Sequence, residues 1–314
     1  MIRVAVAGGA TGLGKTIVDT IQATTQHECI ILSRKSGGEL GVVGIDYSNV
    51  GSIRNVLEKH KIQVVISTIG VYTEQHYTSQ LNLIEAADLS ATTTRFIPSE
   101  FGIALQSQHA DRSPSFPFKL KTIERLEKGG LEYTLVHTGL FLDYLAWPVV
   151  PSDLEIQSLI VNLRRNRAVI PGSGNTHIAW AHTRDVASFT VALLDFKDWD
   201  KRYFSFADRL TPRELVQLCE KIKGVKFEVT YDKKEDLEEG RCTLLPHPTI
   251  DDFKHTRFDQ IDAFTSYMAK LGSIIDDGLT DLGTESSFKR ICPEIAPLTA
   301  RQVISQWVAS NGAV

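Results

Sequence analysis

The sequence predicts an α/β protein: a Rossmann-type, doubly wound parallel sheet with a smaller C-terminal α+β lobe. Three observations predict it. Apolar runs of strand length alternate with helical patterns through the first half. Those runs are continuously apolar, as strands covered on both faces are. A glycine-rich turn joins the first run to the first helical pattern.

Ile2–Ala7 reads as the first strand, and Lys15–Ala23 as a helix with Ile17, Val18 and Ile21 on one face. Glu28–Ser33 is a second strand and Gly41–Ile45 a weaker third. Ser52–His60 reads as helix, Gln63–Thr68 as the fourth strand, Tyr77–Ala87 as helix and Thr94–Pro98 as the fifth strand. Ser115–Lys128 is an amphipathic helix and Leu131–His137 a sixth strand. After Phe141 the rhythm breaks, and Pro148 and Pro151 mark the transition. Asn166–Trp180 reads as strand, turn, strand. Asp185–Leu194, Thr211–Ile222, Phe258–Ile275 and Ala300–Ser310 read as helices, and the charged run Asp232–Gly240 as a solvated helix or loop. The expected division is a dinucleotide-binding domain over 1–150 and a substrate lobe over 151–314, with part of 166–210 returning to the sheet.

The 314 residues are 42% hydrophobic and 23% charged, enough chain and apolar content for a sizeable core. A net charge of -4, a pI of about 6.2 and no run of Lys and Arg argue against a nucleic-acid partner. No stretch approaches the ~20 apolar residues of a membrane helix, and too few residues precede the glycines for a signal peptide. Cys29, Cys219, Cys242 and Cys292 are scattered, without CxxC spacing, and read as reduced thiols. The histidines have no metal-ligand spacing. The expectation is a cytoplasmic, metal-free protein acting on a small molecule; oligomeric state leaves no signal.

Gly8-Gly9-Ala10-Thr11-Gly12-Leu13-Gly14 lies where a strand hands over to a helix. Glycines there let the backbone approach a pyrophosphate, and the helix start supplies free N–H groups and partial positive charge. Gly8, Gly9, Thr11, Gly12, Leu13 and Gly14 are therefore candidate cofactor contacts; the alternative is a turn whose glycines only allow close packing. The second strand ends in Ser33-Arg34-Lys35, with no carboxylate to hold a ribose 2'-hydroxyl. A guanidinium suits a phosphate, so NADP(H) is expected over NAD(H), with Ser33, Arg34 and Lys35 at that end. Thr68, Ile69 and Gly70, at the fourth strand's end, are expected along the cofactor.

On the helix Ser115–Lys128, Leu120, Ile123 and Leu126 form the apolar stripe, and Lys119 falls on its edge. A cation there is costly unless it has a task or a partner; the alternative is a lysine that reaches past the stripe to water. Glu100 and Phe101 follow the fifth strand's carboxyl end, where ligands bind in open α/β sheets. Phe141, Tyr144 and Trp180 are candidate walls of an aromatic-binding pocket, with His177 beside a later turn; each is also a candidate for plain core. His137 and His182 read as structural.

With these pieces in place, the chain resembles the NmrA-like and isoflavone-reductase-like group of atypical short-chain dehydrogenases over most of residues 1–200. The resemblance rests on the glycine turn, Arg34, Ser67-Thr68-Ile69-Gly70, Arg95-Phe96-Ile97-Pro98-Ser99-Glu100-Phe101-Gly102, and Lys119 fourteen residues before Tyr133-Thr134. Gly139-Leu140-Phe141 and the Pro171-Gly172-Ser173-Gly174-Asn175 turn add to it. Thr11 stands where the group's GxxGxxG has its middle glycine, and Gly12 is the available substitute. The Tyr-x-x-x-Lys pair of ordinary short-chain dehydrogenases is absent. The resemblance implies a lysine, Lys119, beside the nicotinamide as general acid or base, with the hydride coming from NADPH. The activity it implies is reduction of a C=C, C=N or C=O bond in a small aromatic or polycyclic metabolite. A cyclase or isomerase without net NADPH use, and a redox-sensing regulator without turnover, are the alternatives.

Overall fold

The computed structural model describes residues 1–23, 26–35, 41–246 and 260–310. In chain order the strands are β1 (Ile2–Ala7), β2 (His27–Ser33), β3 (Val42–Gly44), β4 (Val64–Ser67), β5 (Arg95–Ile97), β6 (Glu132–Tyr133), β7 (Leu135–His137), β8 (Leu140–Phe141), β9 (Val161–Asn162), β10 (Arg167–Pro171), β11 (Ile178–Ala181), β12 (Arg202–Phe204), β13 (Asp208–Leu210) and β14 (Glu228–Asp232). The helices are α1 (Gly12–Ala23), α2 (Val50–Lys59), α3 (Glu74–Asp88), α4 (Phe116–Glu127), α5 (Asp143–Ala146), α6 (Thr183–Ala192), α7 (Pro212–Lys223), α8 (Lys234–Glu238), α9 (Ile261–Asp276), α10 (Ser287–Ile291) and α11 (Ala300–Ala309). Two compact units result: residues 1–137 with 186–204, and residues 138–185 with 205–314. The break falls at Thr138 rather than at residue 150, and the segment that rejoins the sheet unit is 186–204.

In the first unit six strands lie in the order β3-β2-β1-β4-β5-β6, each neighbour parallel. Val4, Ala5, Val6 and Ala7 have no exposed surface, which is why β1 is apolar at successive positions from Val4 onward rather than at alternate ones. Ile17, Val18 and Ile21 of α1, Ile53 and Leu57 of α2, and Leu83 and Ile84 of α3 are buried, and each such side chain stabilises the unit by roughly 1.5–3 kcal/mol. Asn49 and Thr73 cap α2 and α3. The run read as one strand over Leu131–His137 divides at Thr134. Its first part pairs with β5, its second with β12. Arg95 fastens the returning segment, bonding Glu132 at 2.6 Å, the Phe196 carbonyl at 2.8 Å and the Lys197 carbonyl, with its guanidinium over Trp199.

In the second unit β10 pairs with β9 and β14, while β11 pairs with β8 and β13. The strand–turn–strand pattern of Asn166–Trp180 thus feeds two different sheets instead of a hairpin. Trp180, Leu215, Val303 and Ile304 lie in one core cluster. Thr211 and Glu214 form a capping box at the start of α7, and Gly224 ends that helix at φ +69°. The charged run is less solvated than its composition predicts: Asp232 is buried, accepting from Thr243 N and Oγ1, and Leu237 of α8 is buried. The helix expected over Phe258–Ile275 begins at Ile261; residues 258–259 lie outside the described residues. No described helix is long and apolar enough to cross a membrane.

Candidate cofactor and catalytic site

The glycine turn joins β1 directly to α1, which starts three residues earlier than its apolar pattern suggests. Lys15 N already donates to the Thr11 carbonyl at 3.2 Å. Gly8 adopts φ +80°, and a Cβ on Gly14 would collide with Thr68 Oγ1 and the Gly8 carbonyl. Gly12, not Thr11, takes the second positive φ, at +55°, so it fills the conformational role of the missing middle glycine. Leu13 is buried, and Thr11 is exposed. Thr68 N and Oγ1 both donate to the Ala7 carbonyl, at 2.8 and 2.9 Å. That pins the end of β4 against the turn, with Ile69 and Gly70 half-buried beyond it. The first turn of α1 holds no acidic side chain, so the positive end of its dipole is uncompensated.

At the end of β2, Arg34 and Lys35 are exposed and Ser33 is half-buried. Arg34 has no carboxylate partner among the described residues. Its charge is felt by two half-buried neighbours: it opposes the burial that raises Tyr47, and it adds to the burial that lowers His76. A solvated guanidinium without an anion suits a phosphate.

The second cluster sits beyond the carboxyl end of β5. Lys119, on α4, donates from Nζ to the Ser99 carbonyl at 3.0 Å and lies 3.8 Å from Glu100 Oε2. The lysine side chain is 20% exposed, Glu100 not at all. Neither Glu100 oxygen has a hydrogen-bond partner. Burial pushes the Glu100 carboxyl up, and the Lys119 charge pulls it back down. His137, at the end of β7, is buried and stacked on Phe204. Burial, with Lys119 and Arg202 adding to it, lowers its imidazole to about 3, so it stays neutral and does not exchange protons near pH 7. Phe101 is half-buried next in the chain.

Behind this cluster stands a residue that sequence reading missed. Gln80, buried on α3, accepts through Oε1 from Ser67 Oγ at 2.9 Å and from Ser99 N at 3.1 Å. Its Nε2 donates to Thr122 Oγ1 on α4. One amide thus fixes the ends of β4 and β5 and the helix carrying Lys119. A signal existed: Gln80, Leu83, Ile84 and Ala87 share the helical spacing of a buried stripe.

In the second unit, Trp180 is fully buried in the core, which removes it as a pocket wall: its strand is enclosed on both faces. Phe141 is half-buried on β8, paired with Ala181, and Tyr144 is half-buried on α5. His177 is half-buried near Glu214 and Asp281; the Thr211 N–H chiefly holds the Glu214 carboxyl down, and the two hydrogen bonds from Arg209 chiefly hold Asp281 down. Asp143 also escaped notice. It is wholly buried and accepts from Ser152 Oγ at 2.6 Å, Thr183 Oγ1 at 2.5 Å and Thr183 N at 3.0 Å. A separate apolar cleft is lined by Ile160, Val169, Leu237, Leu245, Met268 and Leu271, and Ile160 takes φ +63° beside it.

No family model matches the chain. It is 41% identical over 233 residues to oxidoreductase BOA1 of Botryotinia fuckeliana, spanning 72% of this chain and 78% of that one. The chain belongs to the NmrA-like and isoflavone-reductase-like family of oxidoreductases. Oxidoreductase swnN of Metarhizium robertsii is 32% identical over 279 residues, 79% of this chain and 82% of that one. Among solved structures, the ternary complex of leucoanthocyanidin reductase from Vitis vinifera superposes with a TM-score of 0.70 at 18% identity, over 98% of this chain and 99% of that chain. AtPrR2 with NADP+ and (+)pinoresinol gives 0.70 at 21% identity, over 97% and 98%. These structures share the family's fold.

Proposed function

We propose that this oxidoreductase is an NADPH-dependent reductase of a small aromatic or polycyclic metabolite, with Lys119 as its general acid or base. The observation that carries the reading is Lys119 itself: a part-exposed ammonium steadied on the Ser99 carbonyl, in the same unit as the glycine turn. Bound NADPH would supply the hydride. The residues present fit it. The start of α1 and the backbone of Gly8–Gly14 suit the pyrophosphate, and Arg34, with Ser33 and Lys35 beside it, suits a 2'-phosphate. Thr68, Ile69 and Gly70 would run alongside. Lys119 would deliver or accept the proton that accompanies hydride transfer. The neighbouring structures support the same class: one holds NADP+ and (+)pinoresinol.

The test is a paired titration with NADPH and NADH, followed by NADPH oxidation over a panel of aromatic C=C, C=N and C=O acceptors. Arg34→Ala should weaken NADPH binding roughly 10- to 100-fold, the worth of a hydrogen-bonded charge contact, and leave NADH binding unchanged. Equal losses for both nucleotides, or no acceptor-dependent oxidation by the wild type, would overturn the reading.

A further inference from the structure

We propose that Glu100 is the proton reserve of Lys119, a neutral buried acid that refills the lysine after the lysine has protonated its reactant. The proposal rests on the reading of Lys119 given above.

The geometry argues it in three steps. Glu100 has no exposed surface and no hydrogen-bond donor on either oxygen. An ionised carboxylate so placed is costly, whereas the neutral acid is tolerated. The charged group facing it is Lys119 from α4, whose Nζ is 3.8 Å away and engaged with the Ser99 carbonyl instead. His137, from β7, also faces Lys119, and burial holds it neutral, so it does not compete for that proton. Burial raises Glu100 while the Lys119 cation lowers it, so the protonation of the two groups is linked. A structural carboxyl would have been given donors.

The proton balance closes. The two electrons reach the substrate double bond with the hydride of the reduced nicotinamide. A Lys119 N–H bond breaks as its proton goes to the atom left negative. The Glu100 O–H bond breaks next, and that proton forms the new N–H bond on the neutral amine. An amine holds a proton about six pKa units more tightly than a carboxylate in water, and that preference, with the attraction within the ion pair left behind, opposes the cost of ionising the buried acid. One proton from water, passed inward by Lys119, the member of the pair with exposed surface, restores the acid.

The experiment is a carbon-13 carboxyl titration of the full chain labelled at glutamate, with Glu100→Gln assigning the resonance. The Glu100 midpoint should lie at or above the pH of the turnover assay, so that the acid is neutral in the resting protein, and Lys119→Met should raise it further. A midpoint below that pH, or one indifferent to Lys119→Met, overturns the proposal; Lys119→Gln serves if the methionine variant does not fold. On any acceptor that the panel turns over, Glu100→Gln should lower kcat at least tenfold while the first-turnover burst of NADPH oxidation keeps its rate. An equal loss in the burst would make Glu100 a positioning residue and overturn the reserve. NADPH titration run in parallel separates the two readings. A chain that shows the linked titration without binding NADPH fails the cofactor assignment alone.

Discussion

Two carboxyl groups have no exposed surface at all among the described residues, and their surroundings are opposite. Asp143, in the second unit, receives three donors from Ser152 and Thr183. Glu100, in the first, receives none. Burial is equal, so burial does not separate structure from chemistry; hydrogen-bond satisfaction does. Asp143 ties the start of α5 to the first residue of α6 and to the chain beyond Pro151, and although His182 Nε2 lies 3.7 Å from its Oδ1, its oxygens are already held by hydroxyl and N–H donors. Glu100 keeps a costly polar group unsatisfied within reach of a cation, the condition in which a proton is easily moved.

The largest effect that could break this comparison is on stability. Asp143→Ala leaves two buried donors of Thr183 and the half-buried Ser152 hydroxyl without an acceptor and should cost about 3–5 kcal/mol, read as a lower denaturant midpoint at unchanged slope. A loss under about 1 kcal/mol would show that the network is ornamental. Asp185, an intermediate case with the Leu298 N–H as donor, is raised by burial from 3.8 to about 6. Folding therefore favours its protonated form. The stability this contributes is complete below pH 3.8 and is lost as pH rises through 6. Relative to the wild type, Asp185→Asn should gain on the order of 1–3 kcal/mol across that window and then hold a constant difference. A flat difference between the two proteins would place the titration elsewhere. The smallest effect belongs to Glu100→Gln. It keeps the side chain's shape and orphans no donor, so its unfolding free energy should stay within about 1 kcal/mol of wild type. A loss of several kcal/mol would make Glu100 a structural group like Asp143.

Much of the first unit was legible in the sequence because its parallel strands carry unbroken apolar runs, such as Val4–Ala7, Cys29–Leu32 and Val64–Ile66. β1, β2, β4 and β5 stand within a residue or two of where those runs placed them. The two-residue strands β8 and β9 carry no pattern of their own and exist only through their partners. The absence of an acid after β2 and the edge position of Lys119 were also visible. The donorless burial of Glu100 was not, since neighbouring polar residues gave no hint of enclosure. Trp180 misled because a large aromatic reads alike in a core and in a pocket wall, and only the strands around β11 decide between them.

The return of residues 186–204 to the first unit has a consequence for biosynthesis. β12 supplies the strand beside β7, and Trp199 and the Phe196 and Lys197 carbonyls anchor Arg95. A ribosome that has released only the first 137 residues has exposed β7 without the strand it pairs with. Close to fifty residues of the other unit must emerge before β12 can reach it. Neither unit is therefore a separable cassette: no single cut of the chain yields either one whole, and recombination at residue 138 alone would leave two incomplete cores.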